Sequence, residues 1–255
     1  MKSANAVAGE MERSERHRGE LRGTVQGGAE ILTGERVVKD QIRKLVSMIL
    51  WDAKAIQISD EEPYRLTSGK MSPIYIDCRR MISFPVYRDM ITSFAYWFYV
   101  NEGLDADYIA GGESAGIPYG SWLAQRLGLP FIYVRKEAKG HGLSAQIEGA
   151  IEQGRTVLLY EDLITDGKSK INFISGITRA QCTVKACLVV FDRLQGGGQT
   201  LEEQGVQLYS ITDLDTALEV GSKIGALTQE GLRSVREYLD DPRDWHAARG
   251  LPYDA

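Results

Sequence analysis

The sequence predicts an α/β fold, in which a mostly parallel sheet carries helices on both of its faces. Between residues 108 and 211, short apolar runs alternate with segments whose apolar residues recur at helical spacing. That alternation is typical of consecutive βαβ units. The run at residues 156–160 is also apolar on both faces, as expected for a strand buried between two layers. Ligands of such sheets bind beyond the carboxyl ends of the strands.

The ordered part of the chain is predicted to follow a polar extension. Residues 1–34 are rich in Gly, Glu and Arg, which predicts disorder ahead of an ordered domain at residues 35–255. Order is expected from near Val37, where a helical repeat of apolar residues through Ile42 and Ile49 starts. The next predicted elements are short strands at residues 55–58 and 73–78 and a helix at residues 86–100.

The central and C-terminal parts of the chain supply the sheet. We expect further strands at residues 108–110, 130–135, 156–160, 183–192 and 206–211, and a small hairpin at 147–151. The predicted helices lie at residues 118–127, 169–179 and 224–239. The last of these has the cap-like residue Thr228 near its start, and the glycines at 196–198 are expected to break the chain.

Composition argues against several functional classes. The chain has 255 residues, of which 43% are hydrophobic and 25% charged, so it can form a substantial core. A formal net charge of -5 argues against a general nucleic-acid binder, which would carry a strongly basic face. No apolar run approaches the roughly 20 residues that span a bilayer, and the N-terminus lacks the apolar core of a secretory signal. We therefore expect a cytoplasmic protein with neither a nucleic-acid nor a membrane partner.

The cysteines indicate neither a disulfide framework nor a zinc site. There are three of them, Cys78, Cys182 and Cys187, and no pair has Cys-x-x-Cys spacing. Buried, reduced thiols are expected.

The stretch at residues 157–169 carries the most chemistry. An apolar strand ends in Glu161 and Asp162, whose side chains should point to opposite sides of the sheet. The loop at residues 165–169 then opens a helix, where backbone N–H groups can cradle a phosphate. Carboxylates accept hydrogen bonds from sugar hydroxyls, so a phosphorylated sugar is a suitable ligand. A strand that ends in an ordinary polar turn explains this stretch, taken alone, about equally well.

Four segments resemble motifs of one enzyme family. Residues 157–169 resemble the phosphoribosyl diphosphate (PRPP) signature of type I phosphoribosyltransferases: an apolar strand, two acids and a Thr/Gly/Ser loop. Residues 64–77 are similar to the orotate segment of orotate phosphoribosyltransferases, and residues 135–142 to their mobile catalytic loop. Residues 191–193 resemble the strand end with which that family recognises the base. The four motifs stand in the family's order, and together they are much more specific than the signature alone.

The resemblance implies an activity and an assembly. The chain would transfer the 5-phosphoribosyl group from PRPP to orotate in de novo pyrimidine biosynthesis, with Mg²⁺ held mainly through PRPP rather than by direct protein ligands. The fold would be that of type I phosphoribosyltransferases, with a small hood formed by about residues 35–85 plus C-terminal elements. The enzyme would be a homodimer, in which Lys139 and His141 of one subunit reach the site of the other.

The resemblance also implies which residues form the site. The catalytic loop would bind the diphosphate through Arg135, Lys136, Lys139 and His141. The remainder of PRPP would be bound by Glu161, Asp162, Leu163, Ile164, Thr165, Asp166, Gly167, Lys168 and Ser169. Orotate would be bound by Thr165 and Arg193, the latter through a guanidinium that matches its carboxylate.

The chain departs from the family pattern at several positions. Thr67 and Ala115 stand where relatives often carry lysine, so two charge contacts are expected to be missing. Asp166 places a carboxylate in the phosphate loop, where Lys168 can offset its charge. His17 and His246 fall outside every motif, and both are expected to be solvated.

Other interpretations stay open. Without the resemblance, the basic residues at 135–141 are a solvated charged loop and Arg193 forms a surface ion pair. A phosphoribosyltransferase for another base also fits, as does a non-catalytic regulator that senses PRPP. The regulator would need a DNA-binding module, for which the polar N-terminal segment is too short and too aperiodic.

Overall fold

The computed structural model describes residues 28–66, 69–138 and 146–253. Its strands are β1 (Ile56–Ile58), β2 (Tyr64–Arg65), β3 (Met71–Ser72), β4 (Ile74–Ile76), β5 (Tyr108–Gly112), β6 (Phe131–Val134), β7 (Ile147–Glu148), β8 (Thr156–Ile164), β9 (Thr183–Asp192) and β10 (Gln207–Asp213). Its α-helices are α1 (Gly28–Asp52), α2 (Pro85–Asn101), α3 (Gly116–Leu127), α4 (Lys168–Arg179), α5 (Gly197–Glu202), α6 (Leu214–Lys223), α7 (Gln229–Asp240) and α8 (Pro242–Ala248). A 3₁₀ helix spans Cys78–Ser83.

The central sheet confirms the predicted α/β class. Its strands lie in the order β10-β9-β8-β5-β6-β7. Neighbouring strands are parallel throughout, except that β7 is antiparallel to β6. The carboxyl ends of β5, β6, β8 and β9 therefore lie at one edge, and the residues that follow them converge there.

Both faces of this sheet are buried. Along β8, Leu158 and Tyr160 belong to one hydrophobic cluster, while Val157 and Leu159 belong to the other, as the alternation of side chains along a strand requires. Helices α1, α2, α3 and α6 contribute to the first cluster, and α4 and α5 to the second. This two-sided burial explains why the run is apolar throughout.

Two short antiparallel pairs precede the central sheet in the chain. Strand β1 pairs with β4, and β2 pairs with β3 to form the β2–β3 hairpin. The hairpin has two residues in each strand, and the Leu66 N–H donates to the Lys70 carbonyl oxygen at 2.8 Å. Thr67 and Ser68 lie outside the described residues.

The first helix starts earlier than predicted. Helix α1 begins at Gly28, whereas order was expected from near Val37. It is anchored further along, where Val46 and Leu50 are fully buried. The rest of the predicted extension, residues 1–27, lies outside the described residues.

Several short elements were not predicted from the sequence. Helix α5 begins at Gly197, inside the glycine run that was expected to break the chain. The predicted helix at residues 224–239 starts later than expected, because α6 ends at Lys223 and α7 begins at Gln229. The Thr228 cap is confirmed, since its hydroxyl accepts the Gly231 N–H at 3.1 Å. Elements such as β2, β3 and α8 are too short to show a sequence period.

The prediction that His246 is solvated is wrong. Its side chain is 0% exposed and lies near the end of α8. With only seven residues, α8 does not repeat its buried face often enough for sequence periodicity to show it. His17 lies outside the described residues.

Two expectations from composition can also be compared with the structure. The three cysteines are buried and free, as predicted. Within the part of the chain that the structure describes, no helix is both long and apolar enough to cross a bilayer.

Candidate active site

Glu161 lies at the carboxyl end of β8, and its carboxylate is engaged inside the protein. The residue is 3% exposed. Its Oε1 accepts the Gly112 N–H at 2.6 Å, and its Oε2 lies 3.1 Å from Lys170 Nζ. Glu161 therefore joins β8 to the end of β5 and to the first turn of α4.

Two glycines allow this close approach. A Cβ atom at Gly116 would lie 1.9 Å from Glu161 Oε1, and one at Gly112 would lie 2.7 Å from the same atom. Both glycines belong to residues 111–116, a glycine-rich segment that joins β5 to α3 and whose backbone N–H groups could bind a diphosphate. Because the Gly112 N–H donates to Glu161 and the Glu113 N–H donates to the Val134 carbonyl oxygen, the loop's donors for a ligand begin at Ser114.

Lys170 is a buried site residue that the sequence interpretation missed. Burial lowers the pKa of Lys170, but the carboxylates of Glu161 and Asp162 outweigh it and the pKa is raised. Burial also raises the pKa of both carboxyl groups, and the Lys170 ammonium opposes it. Two buried carboxylates thus share one ammonium, and the guanidinium of Arg79 also lowers the pKa of Asp162.

The position of Lys170 could have been inferred from the helix period. Phe173, Ile174 and Ile177 form the buried stripe of α4, and Lys170 stands one turn ahead of them. A residue three, four and seven positions before buried side chains lies on the same face of a helix. A lysine at that place needs a buried acid, and Glu161 is the one it pairs with.

Asp162 and Arg193 both act electrostatically on the buried thiol of Cys78. Burial raises the pKa of the Cys78 thiol well above its ordinary value. The carboxylate of Asp162 raises this pKa further, whereas the guanidinium of Arg193 lowers it. Both charges therefore lie within electrostatic range of one buried thiol. The sequence had predicted that the side chains of Glu161 and Asp162 point to opposite sides of the sheet. The bonds of Glu161 to Gly112 and Lys170 and the effect of Asp162 on Cys78 agree with that prediction.

The predicted phosphate loop connects β8 to α4. Gly167, with φ +83°, occupies the N-cap position of α4. The carboxylate of Asp166 folds back onto the helix start, where it accepts the Lys168 N–H at 3.1 Å and pairs with Lys168 Nζ at 3.1 Å. Lys168 therefore offsets the charge of Asp166, as the sequence suggested.

Helix α5 supports the phosphate loop from behind. A Cβ atom at Gly197 would lie 2.5 Å from an Ile164 side-chain carbon and 2.7 Å from the Thr165 carbonyl oxygen. A Cβ atom at Gly167 would lie 3.1 Å from Thr200. The glycines of this region thus permit α5 to pack directly on the loop.

Arg193 follows β9 and adjoins the start of the phosphate loop. Its N–H donates to the Ile164 carbonyl oxygen at 3.0 Å, and Ile164 and Asp192 are partners in the β8–β9 register. Thr165 and Arg193, the two residues predicted to bind orotate, each come directly after one member of this pair, so their backbones start side by side at the ends of neighbouring strands. Burial lowers the pKa of Arg193, opposed by the nearby Tyr238 hydroxyl. Among the described residues, the buried Nε of Arg193 has no hydrogen-bond partner.

The start of the predicted catalytic loop is bonded to the neighbouring strand end. The Lys136 N–H donates to the Glu113 carboxylate at 2.9 Å, and Arg135 Nη1 lies 3.4 Å from Glu148. The described chain resumes at Gln146, whose carbonyl oxygen accepts the Arg135 N–H at 2.8 Å. Lys139 and His141, predicted for the same loop, lie outside the described residues.

Most of the described residues that were predicted for the site share one edge of the sheet. Arg135 and Lys136 follow β6, the phosphate loop follows β8, and Arg193 follows β9. Strands β6, β5, β8 and β9 are consecutive neighbours. Glu161 differs from the others, because its oxygens face protein donors.

Comparisons with known proteins bear on the identity of this site. No protein-family model matches the chain. The chain is 40% identical over 216 residues to orotate phosphoribosyltransferase of Rhizobium meliloti, covering 83% of this chain and 93% of the relative. It is 42% identical over 213 residues to orotate phosphoribosyltransferase of Ruegeria sp., covering 82% of this chain and 94% of the relative.

Solved structures agree with these relatives. Orotate phosphoribosyltransferase from Aeropyrum pernix is 28% identical, with a TM-score of 0.60, over 71% of this chain and 99% of its own. UMP synthase of Leishmania donovani is 29% identical, with a TM-score of 0.68, over 77% of this chain and 42% of its own. From the extent of this identity and from the shared fold, the chain belongs to the orotate phosphoribosyltransferase family.

Proposed function

We propose that the chain transfers the 5-phosphoribosyl group of PRPP to orotate in pyrimidine biosynthesis. The bond between ribose C1 and a diphosphate oxygen breaks, and a bond between C1 and a ring nitrogen of orotate forms. The proton of that nitrogen is released and is balanced by the negative charge of the departing diphosphate. The products are orotidine 5′-monophosphate and diphosphate. Positive charge develops on the sugar while negative charge grows on the diphosphate, so groups that stabilise this separation and exclude water increase the rate.

The observation that carries the proposal is the guanidinium of Arg193. It stands beyond the end of β9 beside Thr165, and its buried Nε has no partner within the described residues. A guanidinium with unused donors matches a carboxylate with two parallel hydrogen bonds. Orotate has that carboxylate and purine bases do not. Thr165 would donate its hydroxyl to an orotate oxygen.

For PRPP, the two acids of the signature would act differently. Asp162 would accept hydrogen bonds from the ribose hydroxyls. Glu161 would support the same site from behind, since its carboxylate already holds Gly112 and Lys170. The loop of Leu163, Ile164, Thr165, Asp166, Gly167, Lys168 and Ser169 would bind the 5-phosphate at the positive end of α4. The buried carboxylate of Asp162 would favour the cationic transition state of the sugar.

A Mg²⁺ ion fits the charge of this site. Among residues 28–66, 69–138 and 146–253, no three His, Cys, Asp or Glu side chains are placed to hold a metal. The buried carboxylate of Asp162 nevertheless supplies oxygen ligands of the kind that Mg²⁺ prefers, for an ion that would arrive with PRPP. Mg²⁺ commonly binds through substrate phosphates, waters and few carboxylates. The ion would offset the charge of the leaving diphosphate.

The diphosphate would be bound by the basic loop and by the N-terminus of α3. Arg135, Lys136, Lys139 and His141 would contribute charged donors, and the loop would exclude water when it closes. We propose a homodimer in which Lys139 and His141 act in the neighbouring subunit's site. The hood would comprise about residues 35–85 with C-terminal elements, and the enzyme would act in the cytoplasm.

The proposal is tested with the purified full chain, PRPP and Mg²⁺. Orotate absorbance should fall only when all components are present, and the product should have the mass of orotidine 5′-monophosphate. Adenine and hypoxanthine serve as matched alternative bases. Turnover of a purine base without turnover of orotate would move the chain to another base specificity. PRPP binding without turnover of any base would favour a PRPP-sensing regulator.

A further inference from the structure

The C-terminal residues 242–253, here called the C-terminal segment, pack against the β2–β3 hairpin through a buried histidine. The ring of His246 lies 5.1 Å from the Trp245 ring and 4.9 Å from the Tyr253 ring. Its side chain is 0% exposed. A buried imidazole needs hydrogen-bond partners for both nitrogens, and His246 has one on each.

The two partners of His246 determine its tautomer. Nδ1 lies 2.5 Å from the Pro242 carbonyl oxygen, which can only accept, so Nδ1 carries the hydrogen. Nε2 is then an acceptor, and it receives the Met71 N–H at 3.2 Å. The neutral ring thus joins the backbone of α8 to the backbone of β3. The Met71 N–H donates outside its own hairpin.

The β2–β3 hairpin needs such external support. Each of its strands has two residues, and an isolated two-stranded hairpin is marginal at best in water. Loss of the His246 acceptor would leave the Met71 N–H without its partner, and the hairpin would shift to hydrate it.

Two further contacts join the same parts of the chain. Arg249 Nη2 lies 2.9 Å from Asp60 Oδ1, just ahead of β2, while its guanidinium lies over the Trp245 ring at 4.5 Å. At the other end of the hairpin, Lys70 Nζ lies 3.2 Å from the Tyr253 hydroxyl and 4.4 Å from the centre of its ring. The hairpin is therefore held before β2, at β3 and beside its turn.

We infer that His246 is a positioning residue for the orotate subsite, through which the C-terminal segment sets the place of the β2–β3 hairpin. The inference rests on the proposed function and on the similarity of residues 64–77, which include this hairpin, to the orotate segment of the family. His246 does not touch substrate. It acts through its hydrogen bond to the Met71 backbone. Tyr253 contributes by holding Lys70, which stands three positions after Thr67, where relatives often carry lysine.

The test compares three variants of the full chain. His246→Leu removes the acceptor, whereas His246→Gln keeps a side-chain oxygen that can accept the Met71 N–H. Trp51→Phe is the matched control, because the Trp51 indole lies outside the C-terminal segment and donates to the Ala217 carbonyl oxygen at 2.8 Å, so its loss should lower stability without removing a contact of the hairpin. KM for orotate, KM for PRPP, kcat and the urea midpoint are measured for each.

The expected pattern separates positioning from stability. His246→Leu should raise KM for orotate about tenfold, the size of one buried hydrogen bond left unmade, while KM for PRPP stays within about twofold. His246→Gln should recover most of the orotate affinity. Trp51→Phe should lower the urea midpoint and leave the ratio of the two KM values unchanged.

Other results would overturn the inference. These are an unchanged KM ratio in folded His246→Leu, or a Gln variant as impaired as the Leu variant. Should His246→Leu not fold, Tyr253→Leu decides: a rise of about threefold in KM for orotate alone supports the inference, and no change rejects it. Absence of orotate turnover in the unmodified chain would instead reject the proposed function.

Discussion

The end of β8 and the β2–β3 hairpin are two parts of one candidate site that are built differently. At the end of β8, the strand, both acids, the phosphate loop and Lys170 all fall within residues 156–179. The hairpin depends on partners far along the chain. Its bonds from Met71 to His246 and from Lys70 to Tyr253 span 175 and 183 residues.

This difference determines which region can be recognised from the sequence and which property each region loses when it is mutated. A site built from one stretch is visible as a sequence motif, and its balance of charges is local. A site held by the far end of the chain has no such motif, and a distant substitution can shift it. We therefore expect substitutions at the end of β8 to lower stability and PRPP affinity, and substitutions around the hairpin to lower orotate affinity.

The largest effect is expected from Lys170→Met. The substitution leaves Glu161 buried without its charged partner, and the free energy of unfolding should fall by about 3–5 kcal/mol. Because Lys170 lowers the pKa of Glu161 against the effect of burial, its loss raises that pKa further. Urea unfolding at a series of pH values measures the change.

The pH dependence of Lys170→Met has a defined sign. A carboxyl group whose pKa is raised by folding destabilises the protein increasingly as the pH rises through the raised value, since the unfolded chain releases its proton earlier. The loss in Lys170→Met should therefore shrink as the pH falls from about 8 to about 5. The double variant Glu161→Gln with Lys170→Met should recover at least half of the loss. Equal losses in the single and double variants would show that the ion pair is not the cause.

The next effect is expected from Asp162→Asn. If Asp162 binds the ribose hydroxyls, kcat/KM for PRPP should fall about 100-fold, as expected for lost hydrogen bonds to a charged group. Glu161→Gln is the matched control, since it removes a carboxylate one position earlier but on the other side of the sheet. Steady-state kinetics should show a smaller loss for Glu161→Gln, together with a lower urea midpoint. A larger kinetic loss in the control would exchange the roles of the two acids.

Long apolar runs made much of the fold predictable. Strand β9 has the predicted bounds, and the βα alternation gave the correct class of sheet. Strand β8 was predicted to end at Tyr160 but continues to Ile164, because Glu161 still pairs with Val189 in the β8–β9 register. The change from apolar to acidic residues at Glu161 marked the start of the candidate site, whereas the end of the strand is set by backbone pairing with β9.

The parts that were missed depend on tertiary partners. Alternation predicted that Glu161 and Asp162 diverge, but the Gly112 N–H that holds Glu161 comes from another strand. Lys170 lay within reach of the helix period and was overlooked. The burial of His246 could not be inferred in this way. It depends on packing against the rings of Tyr238 and Tyr253, and the seven residues of its helix are too few to show a buried face in the sequence.

The most direct test of the account is the pair of Michaelis constants of Arg193→Lys. The account places orotate at Arg193 and PRPP at Asp162 in one pocket beyond β8 and β9. A lysine cannot reproduce the two parallel hydrogen bonds of a guanidinium, so KM for orotate should rise about tenfold while KM for PRPP stays unchanged. A fall in PRPP affinity with unchanged orotate affinity would contradict the placement of the base.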